Sequence, residues 1–103
     1  MVEITSENVE SLVGGKLPLV IEFWATGCGP CQLVSKILEQ LAKEYDGRVV
    51  IGRCNVEEDG DVAIKYNVRN SATVLFFKDG KQVDKYVSAG PKDLFKKKIE
   101  ALL

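Results

Sequence analysis

The sequence contains no histidine, only three cysteines and three prolines, and almost no net charge, with 14 basic against 15 acidic residues. A chain with no histidine and one cysteine outside its single pair cannot complete a four-ligand zinc site of the usual kind by itself. The charge balance argues against a nucleic-acid binder, because no sequence-wide positive field attracts phosphate. The basic cluster Lys96 to Lys98 fits the solvated end of a helix instead.

No apolar run approaches the ~20 residues of a membrane-spanning helix, so we expect no membrane partner. The segment Met1 to Thr5 has neither the basic nor the apolar part of a secretory signal. An odd number of cysteines is also untypical of a secreted disulfide scaffold. We therefore expect a cytoplasmic monomer, and 103 residues predict one domain covering residues 1–103.

The hydrophobic pattern predicts alternating strands and helices. Leu19 to Ala25 and Val49 to Val56 are apolar runs of strand length, and apolar residues from Val34 to Tyr45 recur at the spacing of one helix face. Asp79-Gly80 is a hairpin turn signal between two further strands. The other predicted elements are a strand from Val2 to Thr5, a short helix capped by Ser6, a helix from about Asp59 to Tyr66 and a helix from about Lys92.

The predicted element order is β-α-β-α-β-α-β-β-α. Parallel crossovers followed by an antiparallel hairpin give a mixed sheet with helices on both faces. The expected fold class is therefore α/β, with a central five-stranded mixed sheet flanked by four helices.

The motif Cys28-Gly29-Pro30-Cys31 lies between a central strand and the most regular helix. A cysteine at a helix N-terminus is favoured as a thiolate by the unpaired N–H groups and the helix dipole. Pro30 is tolerated there, because the N–H that it lacks would be unpaired anyway. Cys31 lies three residues before Val34 and shares its buried face. The spacing predicts an exposed nucleophile, Cys28, and a shielded resolving thiol, Cys31.

The segment from Phe23 to Cys31, Phe-Trp-Ala-Thr-Gly-Cys-Gly-Pro-Cys, resembles the active-site segment of thioredoxins, and further matches extend over nearly the whole chain. Thioredoxins are themselves a known example of a lowered thiol pKa in such a motif. The resemblance implies a thioredoxin fold, reduction of protein disulfides and no bound cofactor. It also implies that electrons come from NADPH through a flavin-dependent thioredoxin reductase.

Glu22 lies inside the apolar run of the central strand. A carboxylate is costly to bury in its ionised form, so the pKa of Glu22 is expected to rise. The resemblance places Glu22 at a buried aspartate that moves protons to and from the resolving cysteine. It places Arg53 at a lysine that pairs with this aspartate and tunes it. The alternative is that Glu22 lies at a sheet edge and has no role.

The sequence departs from the thioredoxin pattern around the cysteine pair. Gly27 replaces a tryptophan that packs on partners, and Ala72 replaces a proline that is normally cis. A cis bond before alanine costs about 2.5–4 kcal/mol, so the Ser71–Ala72 bond is expected to be trans. Ser88 replaces a glycine at which the partner backbone approaches. The expected substrate groove comprises Trp24, Gly27, Gly29, Pro30, Ser71, Ala72, Thr73, Ser88 and Ala89.

Three functional hypotheses follow. The first is a protein-disulfide reductase with disulfide-containing proteins and a thioredoxin reductase as partners. The second is a binding module of the same fold with weak reductase activity, because its groove is altered. The third is a dimer that binds a metal ion or iron–sulfur cluster through Cys28 and Cys31 of each chain. Cys54 is expected to be a small buried core residue.

Overall fold

The computed structural model describes residues 1–103, which form a five-stranded sheet in the order β1-β3-β2-β4-β5. Strands β1, β2 and β3 run parallel to one another, and β4 and β5 are antiparallel to the strands beside them. The elements in chain order are β1 (Val2–Glu3), α1 (Val9–Val13), β2 (Leu19–Trp24), α2 (Gly29–Glu44), β3 (Val50–Asn55), α3 (Gly60–Lys65), β4 (Thr73–Lys78), β5 (Lys81–Val87) and α4 (Lys92–Glu100). The predicted fold class and element order are confirmed.

Strand β2 lies at the centre of the sheet, and its alternating side chains separate two hydrophobic clusters. Val20 lies in the cluster formed with α2 and α4, together with Val34, Leu38, Phe95 and Ile99. Leu19, Ile21 and Phe23 lie in the other cluster, with α1 and α3. The two-residue period therefore places Glu22 on the α2 face of the sheet.

Helix α2 is the longest helix, with 16 residues. Its apolar positions repeat every three to four residues and bury Val34, Leu38 and Leu41 against β2 and β3. Lys92 and Lys96 of α4 both form ion pairs with Glu44, which lies in the last turn of α2. These two lysines are paired with a carboxylate and partly exposed, as the solvated-face interpretation predicts.

Two local details differ from the sequence predictions. Strand β1 ends at Glu3 rather than Thr5, and α1 begins at Val9. Ser6 does not cap this helix, because its N–H and hydroxyl both donate to Asp59 Oδ1. The N-cap residue is Asn8, whose Oδ1 accepts from the N–H of Thr5. Ser6 is thus hydrogen-bonded to the residue that precedes α3 and does not start a helix.

The hairpin between β4 and β5 forms as predicted. Asp79 and Gly80 both have positive φ, 53° and 78°, which is the requirement of the tight two-residue turn that suits twisted strands.

No helix is long and apolar enough to cross a membrane.

Gly52, in β3 between β1 and β2, is required by close packing. A Cβ atom there would lie 2.7 Å from Ile4 side-chain carbons and from the Val2 carbonyl oxygen. Gly52→Ala is expected to lower the free energy of unfolding by about 1–3 kcal/mol through overpacking, measured by urea denaturation. Gly60→Ala is the matched control, since a Cβ at Gly60 meets nothing within 4 Å. Equal stability of the two variants would contradict this explanation.

Candidate active site

The cysteine pair lies at the start of α2, immediately after the central strand ends. Cys28 is the N-cap residue, and its Sγ accepts from the N–H of Cys31 at 3.2 Å. Pro30 occupies the first turn of the helix, as the sequence predicts. The two sulfurs form a disulfide across a Cα–Cα distance of 5.3 Å. The structure therefore represents the oxidised form of the pair.

The two sulfurs differ in accessibility. Cys31 is 3% exposed, whereas Cys28 is only half-buried. Gly27, Gly29 and Pro30 around Cys28 are exposed. A thiol or disulfide from another molecule can therefore approach Cys28 but not Cys31. This is the unequal placement that the helix spacing predicts.

The loop before the pair is held by a residue that the sequence analysis missed. The Glu57 carboxylate accepts from the N–H of Thr26 at 2.9 Å, and this bond lowers the pKa of Glu57. Asn55 Oδ1 in turn accepts from the N–H of Glu57 at 2.8 Å. Gly27, the next residue along the loop, is exposed and has a φ of 79°. Nothing in the sequence indicated this loop-to-loop contact.

Glu22 is buried on the α2 face of β2, with 0% exposure. Burial raises the pKa of its carboxyl, while the hydrogen bond from Ser35 and the charge of Arg53 act in the opposite direction. The Ser35 hydroxyl donates to Glu22 Oε1 at 2.7 Å, and Oε2 has no partner. The predicted burial of Glu22 is thus confirmed. Ser35 was missed, although it lies four residues after Cys31 and hence on the same helix face.

Arg53 does not pair with Glu22 as the resemblance implied. The two residues are neighbours in register on β2 and β3, but no ion pair joins them. The Arg53 guanidinium instead lies over the Trp24 ring, with its central carbon 4.2 Å from the ring centroid. A planar guanidinium stacks on an aromatic face more readily than an ammonium does. Arg53 therefore acts on Glu22 only as a nearby charge.

A groove of about 480 Å³ opens beside the pair on the β3 side. Trp24, Gly27, Cys28, Cys31, Ser35 and Arg53 contribute to its lining, together with Ala25, Thr26, Gln32, Lys36 and Glu39. Of the predicted groove residues, only Trp24 and Gly27 line it. The others are elsewhere: Gly29 and Pro30 in the first turn of α2, and Ser71, Ala72, Thr73, Ser88 and Ala89 on the β4 side.

Polar groups of the residues on the β4 side form hydrogen bonds within the chain. The Ser71–Ala72 bond is trans, and Ala72 is 2% exposed with a φ of 59°. The Ala72 N–H donates to the Phe23 carbonyl, and its own carbonyl accepts from the N–H of Ser88, both at 2.8 Å. Thr73 is buried, and its hydroxyl donates to the Asn70 carbonyl. The backbone groups of Ala72 and the hydroxyl of Thr73 are therefore paired within the chain.

Ser88 and Ala89 complete this side of the pair. Ser88 is exposed with a φ of 78°, a conformation that glycine adopts without strain. Ala89 is half-buried against the α2–α4 cluster. Ser71 is half-buried.

Cys54 lies on the other face of the sheet from Cys31. It is 0% exposed and belongs to the cluster that includes Val62 and Ala63 of α3. Burial raises the pKa of its thiol to about 12, with Asp59 and Asp61 adding to the effect. Its expected role as a core residue is confirmed. No group of three or more potential metal-ligating side chains is assembled within the chain.

The mixed sheet, together with a cysteine pair at the first turn of the helix that follows its central strand, defines the thioredoxin fold. The chain belongs to the thioredoxin family: the family model described as Thioredoxin matches residues 1–101. The predicted resemblance is therefore confirmed.

Curated relatives agree with this assignment. A thioredoxin of Chlorobaculum thiosulfatiphilum is 37% identical over 99 residues, which are 95% of this chain and 92% of that protein. A thioredoxin of Staphylococcus epidermidis is 41% identical over 93 residues, 90% of this chain and 88% of that protein. A chloroplastic M-type thioredoxin of Pisum sativum is 40% identical over 91 residues, and the match covers 53% of it. The chain spans about half the length of the chloroplastic relatives that it matches.

The thiol of Cys54 is expected to be unreactive in the folded protein, because only the thiolate is an effective nucleophile. In the oxidised protein, a thiol reagent at a pH of about 8 should detect no thiol. The same reagent should detect the one free cysteine after unfolding in guanidinium chloride. A reagent-accessible thiol in the folded, oxidised protein would contradict the buried placement.

The raised pKa of Glu22 predicts a pH dependence of stability. Folded Glu22 keeps its proton above its ordinary value of 4.5, whereas the unfolded chain has released it. The folded state then binds more protons, so this contribution to the free energy of unfolding falls as pH rises, by at most about 1.4 kcal/mol per pH unit. The stability advantage of Glu22→Gln over the parent protein should therefore grow from pH ~4 to pH ~8. Glu7→Gln, at an exposed site, is the control.

Proposed function

We propose that residues 1–103 act as a single thioredoxin domain that reduces disulfides of other proteins by dithiol–disulfide exchange. The observation that carries this proposal is the unequal pair at the start of α2, with Cys28 half-buried at the N-cap and Cys31 3% exposed. An accessible sulfur stabilised by helix N–H groups suits attack on a foreign disulfide. A shielded partner suits the second, intramolecular step.

The reaction has two exchange steps. The Cys28 thiolate attacks one sulfur of the substrate disulfide, which forms a mixed disulfide and releases the other sulfur as a thiolate. Cys31 then gives its proton to Glu22 and attacks Cys28 Sγ, so the Cys28–Cys31 disulfide forms and the second substrate sulfur leaves. Two electrons pass to the substrate. Glu22 thus acts as the proton acceptor, and Arg53 tunes it through charge.

The partners are proposed from the same chemistry. Substrates are proteins with accessible disulfides, and electrons return to the pair from NADPH through a flavin-dependent thioredoxin reductase. The domain itself needs no bound cofactor for exchange between sulfurs. We further propose that it acts as a cytoplasmic monomer. Substrate contacts fall on Gly27, Gly29, Pro30 and Trp24 around Cys28, with Ser71, Ala72, Thr73, Ser88 and Ala89 on the β4 side.

Insulin reduction by dithiothreitol provides the test. The parent protein should accelerate the precipitation of insulin chains, and Cys28→Ser should reduce the rate to that of dithiothreitol alone. Cys31→Ser should attack but not resolve, so it should accumulate a mixed disulfide detectable by mass spectrometry. Cys54→Ser is the control and should keep the parent rate.

Two results would count against a reductase. A parent protein that fails to accelerate the reaction, although its cysteine pair is reducible, would favour a binding module. Colour or stoichiometric metal in the purified protein, lost in Cys28→Ser, would favour a dimeric metal or cluster site.

A further inference from the structure

Three polar or charged side chains are buried in the protein: Glu22, Ser35 and Thr73. The Thr73 hydroxyl donates to a loop carbonyl, which accounts for its burial. The Glu22 and Ser35 side chains are hydrogen-bonded to each other, although β2 and α2 otherwise pack through apolar side chains. A buried polar pair of this kind is costly unless its hydrogen bonds are complete. Here they are incomplete, because Glu22 Oε2 has no partner.

Ser35 lies one helical turn after Cys31, and both line the groove beside Cys28. A serine inside a helix commonly bonds the carbonyl four residues earlier, here that of Cys31. The Ser35 hydroxyl instead donates across to β2, to Glu22 Oε1 at 2.7 Å. Ser35 therefore fixes the Glu22 side chain from the same helix face that carries the resolving cysteine.

This bond makes the two oxygens of Glu22 different. Oε1 already accepts a hydrogen bond, whereas Oε2 accepts none. Arg53, the register neighbour of Glu22, forms no ion pair with it and stacks on Trp24 instead. An ionised carboxylate with one oxygen engaged takes up a proton at the other oxygen, which keeps its lone pairs free.

We propose that Ser35 is a positioning residue that holds Glu22 by Oε1 and thereby leaves Oε2 as the atom that takes the proton of Cys31. This inference rests on the proposed function. In the resolving step, Cys31 Sγ loses its proton to Oε2 and attacks Cys28 Sγ. The substrate sulfur leaves as a thiolate with the electron pair of the broken bond, and neutral Glu22 later releases its proton to the groove.

The charged and titratable groups around Glu22 are few. Helix α2 contributes Glu39 and β3 contributes Arg53, the two charged groups that act on the Glu22 carboxyl. Strand β4 places Val74 opposite Glu22, which does not titrate. Ser35 is the only neighbour that donates a hydrogen bond to the Glu22 carboxyl, so its removal changes the protonation of this carboxyl directly.

The first experiment follows the Glu22 carboxyl by ¹³C NMR in the oxidised protein, where no turnover occurs, with Glu22→Gln used to assign the signal. Ser35→Ala should move the titration midpoint upward by about one pH unit, since a donor to the charged form is lost. Ser35→Thr, which keeps the hydroxyl, should stay near the parent midpoint. Ser11→Ala is the matched control, because Ser11 is exposed and its hydroxyl donates a hydrogen bond only to the Asn8 carbonyl. Ser35→Val, which has the shape of Ser35→Thr without the hydroxyl, provides a second loss of the donor should Ser35→Ala fold poorly.

The second experiment measures resolution itself. The reduced protein is mixed with an aromatic disulfide reagent, and release of the second chromophore reports attack by Cys31 on the mixed disulfide at Cys28. At neutral pH, Ser35→Ala should slow this step by up to about tenfold, because a smaller fraction of Glu22 is ionised and able to accept the proton. In the Glu22→Gln background the same substitution should change nothing, because Ser35 acts through Glu22.

An unmoved Glu22 midpoint in Ser35→Ala overturns the role of Ser35, even where insulin is reduced at the parent rate. An equal loss of resolution rate in the presence and absence of Glu22 overturns it as well, since a merely structural effect would behave in that way. Failure of the parent protein to reduce insulin would instead overturn the reductase proposal and leave the NMR titration of Glu22 as an independent result.

Discussion

Strand β2 is hydrogen-bonded to β3 on one edge and to β4 on the other, and both of its faces are covered. This full burial is the constraint on which the rest of the structure depends. Its odd-numbered side chains fill the cluster under α1 and α3, and its even-numbered ones face α2. The strand then ends at Trp24, and the chain turns directly into Cys28 and the first turn of α2. The reactive sulfur is thus attached to the most rigid element of the sheet.

Strand β2 also carries the core residue whose burial is energetically least favourable. Glu22 is buried with one oxygen unpaired, in a layer that apart from Ser35 consists mainly of aliphatic and aromatic side chains. Proteins retain such groups at functional sites, where a perturbed protonation state is useful and the surrounding packing tolerates its cost. Burial raises the pKa of the Glu22 carboxyl, and the hydrogen bond from Ser35 and the charge of Arg53 act in the opposite direction.

Much of this was predictable from the sequence, and the reasons differ between elements. The periodicity from Val34 to Tyr45 and the apolar run of β2 indicated the layers, because burial on one or both faces leaves a direct pattern. The preference of helix N-termini for proline and for thiolates correctly predicted that the cysteine pair lies at the start of α2. Side-chain contacts between distant segments were not predictable. Glu57 reaches Thr26 across 31 positions, and Arg53 stacks on the Trp24 ring rather than pairing with a carboxylate, since two partners competed and only geometry decided between them.

The backbone of Ala72 has a consequence for how this site can change over time. Its N–H donates to Phe23, and its φ is 59°, whereas a proline has no N–H and keeps φ near about −65°. A single substitution to proline therefore removes a bond between the loop and the central strand before any new one can form. Proline at this position therefore requires a different conformation of the surrounding loop, so one hydrogen bond of the main chain restricts which residues the position accepts.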